Sequence, residues 1–223
     1  MIFLSGHRAS GKSTTADILK DKGFWILDVG PFWRSVRDKT DPTIKSTKVF
    51  REKLRETHNN QYYDQDYLSD YIINQYTSHL DKKDLVICGY RNPEEAIYLE
   101  SKLKNQIFPD RPTSIWYIES TFEASYQRFI NRERDTRIDF EKFKLTLKSE
   151  NEMGVEGFKE IATLIINNDS DIDHLKDRVG EILSEDGMYV KEKTSVRSNI
   201  EALSENTSYS EKNIKNTRCI EKD

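Results

Sequence analysis

Residues 6–13 read GHRASGKS, in which two glycines enclose four residues and a Lys-Ser pair follows. Glycine at positions 6 and 11 permits backbone conformations that other side chains forbid, so successive N–H groups can curl around a polyphosphate. A helix that begins near Lys12 would add the positive end of its dipole at the same place. The segment directly follows the apolar run of residues 1–4. The order of strand, glycine-rich turn and helix predicts a phosphate-binding loop, and the alternative is a glycine-rich turn that matches by chance.

The side chains of this loop are predicted to share the binding of a phosphate chain. Lys12 is expected to reach the outer phosphates, and the Ser13 hydroxyl to ligate the Mg2+ that travels with them. The predicted phosphate-binding residues are the loop and the start of its helix: Gly6, His7, Arg8, Ala9, Ser10, Gly11, Lys12, Ser13 and Thr14.

An acidic residue ends the second predicted strand. The short apolar run of residues 24–27 is followed by Asp28, which would lie beside the loop at the edge of a sheet. Its carboxylate is predicted to accept a proton from an acceptor hydroxyl or to hold the water shell of Mg2+. Alternatively, Asp28 caps the following helix, whose first turn would carry Pro31.

Two arginines are candidates for binding an acceptor anion. Arg91 lies just beyond residues 85–88, a continuous apolar run that is typical of a central parallel strand. Open parallel sheets bind ligands at this carboxyl edge, and Arg34 has a comparable place after the second strand. The alternative for Arg91 is a surface cation that pairs with Glu94 or Glu95. We favour acceptor binding.

A second group of arginines follows the fourth predicted strand: Arg128, Arg132, Arg134 and Arg137. Arg128 and Arg132 are four residues apart and therefore share one helical face. Arg134 and Arg137 fall where that helix is predicted to break into a loop. The alternative is a solvated face whose charge the neighbouring acidic residues balance, and the four arginines cannot all be catalytic.

The rest of the chain is predicted to build the elements that position these residues. Short apolar runs alternate with stretches in which apolar residues recur at helical spacing. The predicted strands are residues 1–4, 24–27, 85–88, 114–118 and 163–166. Helices are predicted to begin near residues 12, 93, 122, 139 and 172, and residues 31–82 are predicted to hold helices and no strand. This alternation predicts a parallel sheet that helices cover on both faces.

Composition limits the classes of protein that fit. The chain has 223 residues and a formal net charge of -4, whereas a general nucleic-acid binder is usually strongly basic; a local basic groove is left open. No apolar run approaches the length that crosses a bilayer. Cys88 lies in a predicted buried strand and Cys219 in a polar tail, so we expect no disulfide between them and predict a cytoplasmic protein. The composition of residues 186–223 favours disorder.

Four segments together resemble the small P-loop kinases, which include nucleoside monophosphate kinases, dephospho-CoA kinases and an adenylate-kinase-like group of ATPases. The first segment is GHRASGKSTTADIL. The second is ILDVGPFWR at residues 26–34, which looks like a strand-end Asp followed by an acceptor-side Arg. The third is VICGYRNPEEA at residues 86–96, similar to a Gly-x-Arg turn after the third strand. The fourth runs from QRFINRERD to LIINNDSDIDHL and resembles an Arg-rich lid and a final strand that ends in Asn.

The resemblance implies an α/β P-loop kinase fold with a five-stranded parallel sheet, ATP as the phosphoryl donor, and Mg2+. Residues 1–185 would form the kinase domain, with a helical acceptor-binding insert at about 31–82 and a lid at about 132–138. Arg128 and Asn168 would contact the bound nucleotide, although helix capping by Asn168 or the next residue is an equal alternative. The residues implied to be catalytic are Lys12, Asp28, Arg91, Arg132 and Arg134.

We therefore predict an ATP-dependent phosphotransferase whose acceptor is a nucleoside or deoxynucleoside monophosphate. The alternatives are a dephospho-CoA kinase, a kinase for a hydroxymethylated pyrimidine in DNA, and, from a different class, a nucleotide-dependent regulatory ATPase. The acidic charge argues against the DNA substrate.

Two features depart from the family pattern. Many relatives carry an acidic residue immediately before the glycine of the third strand, and here that residue is Cys88. This difference shifts predicted metal binding to Ser13 and Asp28. The insert is also unusually aromatic, and its aromatic residues either stack on a base or form helical core. They are Phe32, Trp33, Tyr62, Tyr63, Tyr67 and Tyr71.

Overall fold

A five-stranded sheet forms the centre of the protein. The computed structural model describes residues 1–79, 84–109, 112–133 and 140–184. The strands are β1 (Ile2–Ser5), β2 (Trp25–Asp28), β3 (Leu85–Cys88), β4 (Ser114–Glu119) and β5 (Leu164–Asn167). Every pair is parallel and the order is β2-β3-β1-β4-β5. The predicted sheet is confirmed, and the carboxyl ends of all five strands lie at one edge.

Helices connect the strands. They are α1 (Lys12–Asp21), α2 (Val29–Thr40), α3 (Thr47–Thr57), α4 (Tyr63–His79), α5 (Pro93–Gln106), α6 (Phe122–Glu133), α7 (Phe140–Glu152), α8 (Gly157–Ile161) and α9 (Ile172–Ser184). The helices predicted to begin near residues 12, 93, 122, 139 and 172 are confirmed, and the described part of residues 31–82 is helical in α2, α3 and α4. Sequence analysis did not predict α8, because its five residues are too few to show a helical period.

Alternate residues of each strand pack against different helices. In β1, Phe3 belongs to a buried cluster that contains Leu68 of α4 and Leu99 of α5. The next residue, Leu4, belongs to another cluster with Leu19 of α1 and Leu175 of α9. Because side chains of a strand point to opposite faces with a period of two, these two clusters are the two faces of the sheet. Helices therefore cover both faces, as predicted.

A third, smaller cluster lies beside the loop between β1 and α1. It contains Ala9 of the loop, Phe129 of α6 and Phe143 of α7. Phe143 is completely buried, so α7 is anchored next to the loop by apolar packing. Side chains near the end of α7 can consequently reach the loop.

A buried ionic network attaches the helical insert to α5. Arg51 and Arg55, one turn apart on α3, both contact Asp64 of α4, at 2.5 Å and 2.6 Å. Both also contact Glu95 of α5, at 2.6 Å and 2.5 Å. Burial alone would raise the pKa of Asp64, but the hydrogen bonds from Arg55 and the charge of Arg51 outweigh burial, and this pKa lies below its usual value. The network is therefore ionised, and it joins three helices.

Several predictions concern residues that the structure leaves undescribed. Arg134, Arg137 and the tail at 186–223 lie outside the described residues, and so does the side chain of Arg132. The predicted lid and the predicted disorder of the tail stay predictions. Within the described ranges, no helix combines the length and the apolar character that a membrane span requires.

Candidate phosphate-binding site

The loop between β1 and α1 has a backbone that only glycine fits at two positions. Gly6 has φ 140° and Gly11 has φ 112°, values that other residues rarely adopt. A Cβ atom at Gly6 would lie 2.3 Å from the carbonyl oxygen of Ile118, and one at Gly11 would lie 2.1 Å from Nδ2 of Asn168. The loop is thus folded tightly against the ends of β4 and β5.

We expect the substitution Gly6→Ala to disrupt this loop. The obstacle is a backbone carbonyl, which cannot rotate away, and backbone strain alone should lower the free energy of unfolding by about 1–3 kcal/mol. Thermal unfolding measures the loss. Gly180→Ala in α9 is the control, because no described atom lies within 4 Å of the added Cβ and alanine favours a helix. Unfolding of Gly6→Ala at the wild-type temperature would contradict the loop geometry.

Lys12 lies across the opening of the loop. Its Nζ donates hydrogen bonds to the carbonyl oxygens of Gly6 and His7, both at 2.6 Å. Burial lowers the pKa of Lys12 to about 8, although the charge of Glu150 raises it. The charge of Arg91 also lowers this pKa. Lys12 therefore shares one electrostatic environment with the cation of Arg91, which follows β3, and with a carboxylate of α7.

The interior of the loop fits a polyphosphate. The hydroxyl oxygen of Ser10 is buried and, among the described residues, has no hydrogen-bond partner. A buried polar atom normally has such a partner, so this hydroxyl suits a ligand that accepts or donates hydrogen bonds. Ser13 is exposed at the start of α1. Its hydroxyl is the group that would hold a Mg2+ ion bound with the phosphates.

Asn168, which directly follows β5, is hydrogen-bonded to the loop. Its Nδ2 donates to the carbonyl oxygen of Ser10 at 2.7 Å, and its own N–H bonds to the carbonyl of Glu119 at 2.8 Å. Capping of α9 belongs to Asp171, which accepts the N–H of His174 at 2.9 Å. Asn168 is therefore placed as a support for the loop, and its contact with adenine stays a prediction.

Arg128 joins two turns at the carboxyl edge of the sheet. It donates to Oγ of Ser120 at 2.9 Å and to the carbonyl oxygen of Ser170 at 3.0 Å. Asp169, between these turns, accepts the N–H of Thr121 at 2.6 Å, and this bond is the main reason that its pKa lies below the usual value. Arg128 is thus part of a hydrogen-bonded edge next to the loop.

Asp28 lies at the end of β2, where its register partner is Cys88 of β3. Its Oδ1 accepts the N–H of Gly30 at 2.9 Å, so the alternative of a helix cap is realised for α2. A carboxylate has further acceptor capacity, and its charge also raises the pKa of Lys12. Capping therefore leaves Asp28 able to contact an acceptor.

Cys88 is unsuited to hold a metal here. Burial raises the pKa of its thiol to about 12, whereas a metal binds the thiolate. Within the described residues, no group of three His, Cys, Asp or Glu side chains is arranged to hold a metal ion. The predicted shift of metal binding toward Ser13 and Asp28 is compatible with both findings.

The two predicted acceptor-side arginines occupy different surroundings. The side chain of Arg91 is 51% exposed, and its Nη2 lies 3.4 Å from Oε1 of Glu150. Glu95, one of the partners considered for Arg91, belongs instead to the ionic network of the insert. Arg34 is exposed on α2, and both its guanidinium and the Asp28 carboxylate lie within 4 Å of where a Cβ at Gly30 would be. Arg34 and Asp28 are therefore neighbours.

Sequence analysis did not identify Glu150 as part of this site. It lies on α7 in a buried position, and its Oε2 accepts the N–H of Arg8 at 2.7 Å. Positions 143, 147 and 150 have helical spacing, so Glu150 occupies the apolar face of α7 that begins with Phe143 and Leu147. The sequence feature that could have identified Glu150 is its position as a single carboxylate on an otherwise apolar helix face.

The aromatic residues of the insert differ in burial, and their stacking on a base stays a prediction. Trp33 is buried at 3% exposure, whereas Tyr67 and Tyr71 are 44% and 37% exposed. Phe32 contacts both tyrosines, with ring centroids 6.4 Å and 4.8 Å apart. Tyr62 stacks on Tyr98 instead. An aromatic patch of Phe32, Tyr67 and Tyr71 thus lies one helical turn beyond Asp28.

A cleft of about 580 Å³ lies away from the loop between β1 and α1. It is lined by Gly23, Phe24, Asp84 and Leu183, among others. Phe24 and Asp84 directly precede β2 and β3, so the cleft is at the amino ends of the strands. It belongs to the edge opposite the loop.

Comparison with known proteins identifies structures with a similar fold. No family model matches the sequence, and no curated protein matches it. A solved structure from Thermus thermophilus is 18% identical and covers 82% of this chain and 96% of its own, with a TM-score of 0.51. Shikimate kinase from Acinetobacter baumannii, in complex with shikimate, is 18% identical and covers 84% of this chain and 94% of its own, with a TM-score of 0.50.

This chain has a P-loop kinase fold. Its five-stranded parallel sheet with helices on both faces matches the fold of the second of these neighbours. A candidate kinase from Chloroflexus aurantiacus is also similar, at 12% identity, 82% of this chain, 94% of its own and a TM-score of 0.50. At these identities the similarity concerns the fold, and the group of kinases to which the chain is closest stays a prediction.

Proposed function

We propose that this protein is an ATP-dependent phosphotransferase whose acceptor is a nucleoside or deoxynucleoside monophosphate. One observation carries the proposal. Lys12 lies in the loop, where its Nζ contacts two backbone carbonyls of the loop at 2.6 Å. Arg91 follows β3 at the same edge, and Glu150 links it to the loop, because this carboxylate lies 3.4 Å from Nη2 of Arg91 and accepts the N–H of Arg8 at 2.7 Å. Transfer of a phosphoryl group between two anions needs cations on both sides of the transferred group. The two side chains supply these cations at one edge of the sheet.

The residues at this edge have separate tasks in the proposed reaction. Lys12 and the loop N–H groups bind the outer phosphates of ATP, and a Mg2+ ion held by Ser13 would supply further positive charge to them. Arg91 binds the anionic group of the acceptor. Asp28 would accept a hydrogen bond from a hydroxyl of the acceptor and orient it, because the attacking oxygen of a monophosphate is already anionic and has no proton to give up.

The aromatic patch favours an acceptor that carries a base. Phe32, Tyr67 and Tyr71 offer partly exposed rings one turn beyond Asp28, and stacking of a base on an aromatic ring is worth about 1–3 kcal/mol. A second candidate is a hydroxylated carboxylic acid, such as the shikimate named for one structural neighbour. The adjacent cation and carboxylate of Arg34 and Asp28 suit an acceptor that presents an anion beside a hydroxyl.

Turnover of ATP with a panel of acceptors tests the proposal. The panel contains nucleoside and deoxynucleoside monophosphates, dephospho-CoA, shikimate and DNA with hydroxymethylated pyrimidines, and each is compared with ATP alone. We expect labelled phosphate to appear in a monophosphate product. Hydrolysis of ATP at the same rate in every reaction, with no labelled product, would instead support a regulatory ATPase.

Replacement of Arg91 with Ala should weaken use of the acceptor. We expect the KM for the acceptor to rise by roughly tenfold or more, as for a lost hydrogen bond to a charged group, while the KM for ATP changes little. Arg178→Ala is the matched control, since this arginine lies in the middle of α9 and its side chain is 42% exposed. A rise in the KM for ATP alone would mean that the donor and acceptor sides are assigned in reverse.

A further inference from the structure

Glu150 places a buried negative charge against the loop. Its side chain is 5% exposed. Oε2 accepts the N–H of Arg8 at 2.7 Å and lies 3.6 Å from Nδ1 of His7, and Oε1 lies 3.4 Å from Nη2 of Arg91. The carboxylate therefore contacts two consecutive loop residues and the proposed acceptor cation together.

Glu150 binds donor groups that would also bind phosphate. A phosphate loop binds its ligand through successive backbone N–H groups and the lysine that follows them. The N–H of Arg8 is one of these groups, and the charge of Glu150 also acts on Lys12. A carboxylate and a phosphate oxygen are both anionic acceptors, so they compete for the same donors.

Packing alone does not account for a carboxylate at this position. Phe143 already anchors α7 beside the loop, and burial of a charge is costly unless it is paired and hydrogen-bonded. Burial would raise the pKa of Glu150, but the contacts with His7 and Arg8 and the charges of Lys12 and Arg91 lower it. The group is therefore ionised, and its charge acts directly on the site.

We propose that Glu150 is a resident anion of the phosphate site, which the outer phosphates of the nucleotide must displace from the Arg8 N–H. The inference rests on the proposed function. The carboxylate keeps the loop donors and Arg91 paired, and its repulsion limits the affinity for nucleotide. Glu150 thus determines how tightly the site holds a polyphosphate.

Calorimetry with MgATP on the full chain tests this role through the substitution Glu150→Gln. Glutamine keeps an oxygen that accepts the Arg8 N–H and removes the charge. We expect the Kd for MgATP to fall by about tenfold, a moderate effect for one charge near an anion at protein-like screening. Glu152→Gln, an exposed residue on the same helix, should leave the Kd unchanged.

The outcomes separate this inference from the proposed function. If the wild-type protein binds no MgATP, the proposed function fails. If it binds MgATP and Glu150→Gln binds equally or more weakly at an unchanged unfolding temperature, the inference alone is overturned.

Hydrogen exchange of the wild-type protein gives a second test that does not depend on how the variant folds. Displacement of Glu150 by phosphate predicts faster exchange in the last turn of α7 when MgATP is added. Ligands usually slow exchange near their site, because they bind only the folded form. Slower or unchanged exchange in that turn would count against the proposal.

Discussion

Lys12→Ala should reduce phosphoryl transfer by about 10²–10³-fold or more, the loss observed when one donor to a developing charge is removed. Lys12 is the cation that lies across the loop, where its Nζ donates to the carbonyls of Gly6 and His7. In the proposed reaction the same ammonium group moves to the outer phosphates. Alanine cannot replace this positive charge. The transition state of phosphoryl transfer therefore loses an interaction that stabilises it more than it stabilises bound ATP.

The fold should survive this substitution. Lys12 contacts the loop through its ammonium group, and alanine is a good residue for the start of α1. The measurement is transfer of labelled phosphate from ATP, together with the circular dichroism spectrum of the variant. Lys20→Ala, an exposed lysine on the same helix, should keep full activity. Full activity in Lys12→Ala with the wild-type spectrum would reject the donor site.

The loop and the sheet were predictable because their signals are local. Gly6, Gly11 and Lys12 lie within seven residues of one another, and their spacing specifies the backbone that binds phosphate. The strands are short apolar runs, and the alternation of strand and helix leaves few topologies. The helix cap at Asp28 could also be expected, since the residue precedes Pro31 by three positions. Its contact with an acceptor depends on groups outside the chain.

The environment of the site was not predictable in the same way. Glu150 accepts the N–H of Arg8 across a separation of 142 residues, and no local pattern encodes that contact. For Arg91 the sequence offered nearby glutamates as partners, yet the structure pairs it with Glu150. The apolar face of α7 carried the only hint, because a carboxylate at a core position must find cations in the fold.

The ionic network of the insert was missed for the same reason. Its members are distributed over α3, α4 and α5, and Arg55 and Glu95 are 40 residues apart. The aromatic pattern of the insert was visible in the sequence, whereas no local spacing pairs its charged residues with one another. In the structure the side chain of Asp64 is 0% exposed, which makes it the most consequential of these charges for stability.

Asp64→Asn should therefore destabilise the protein strongly. Asparagine removes the charge that neutralises Arg51 and Arg55, whose side chains are only 22% and 27% exposed. Removal of one partner from a buried ionic network costs about 3–5 kcal/mol, because it leaves an uncompensated buried charge. Chemical unfolding measured at neutral pH gives this loss. Asp70→Asn, an exposed residue of the same helix, should change the free energy of unfolding by less than about 0.5 kcal/mol.

The pH dependence of that loss distinguishes charge from packing. The pKa of Asp64 in the folded protein lies below its usual value, so the carboxylate binds its proton more readily in the unfolded chain. Stability from this group is then complete above about pH 5 and decreases as the pH falls through the folded pKa. The difference between the wild-type protein and Asp64→Asn should accordingly be constant from pH 7 to 5 and shrink below pH 4. A difference that stays the same down to pH 3 would attribute the loss to shape and hydrogen bonding, because protonation of Asp64 in the unfolded wild-type chain must reduce a charge contribution below about pH 4.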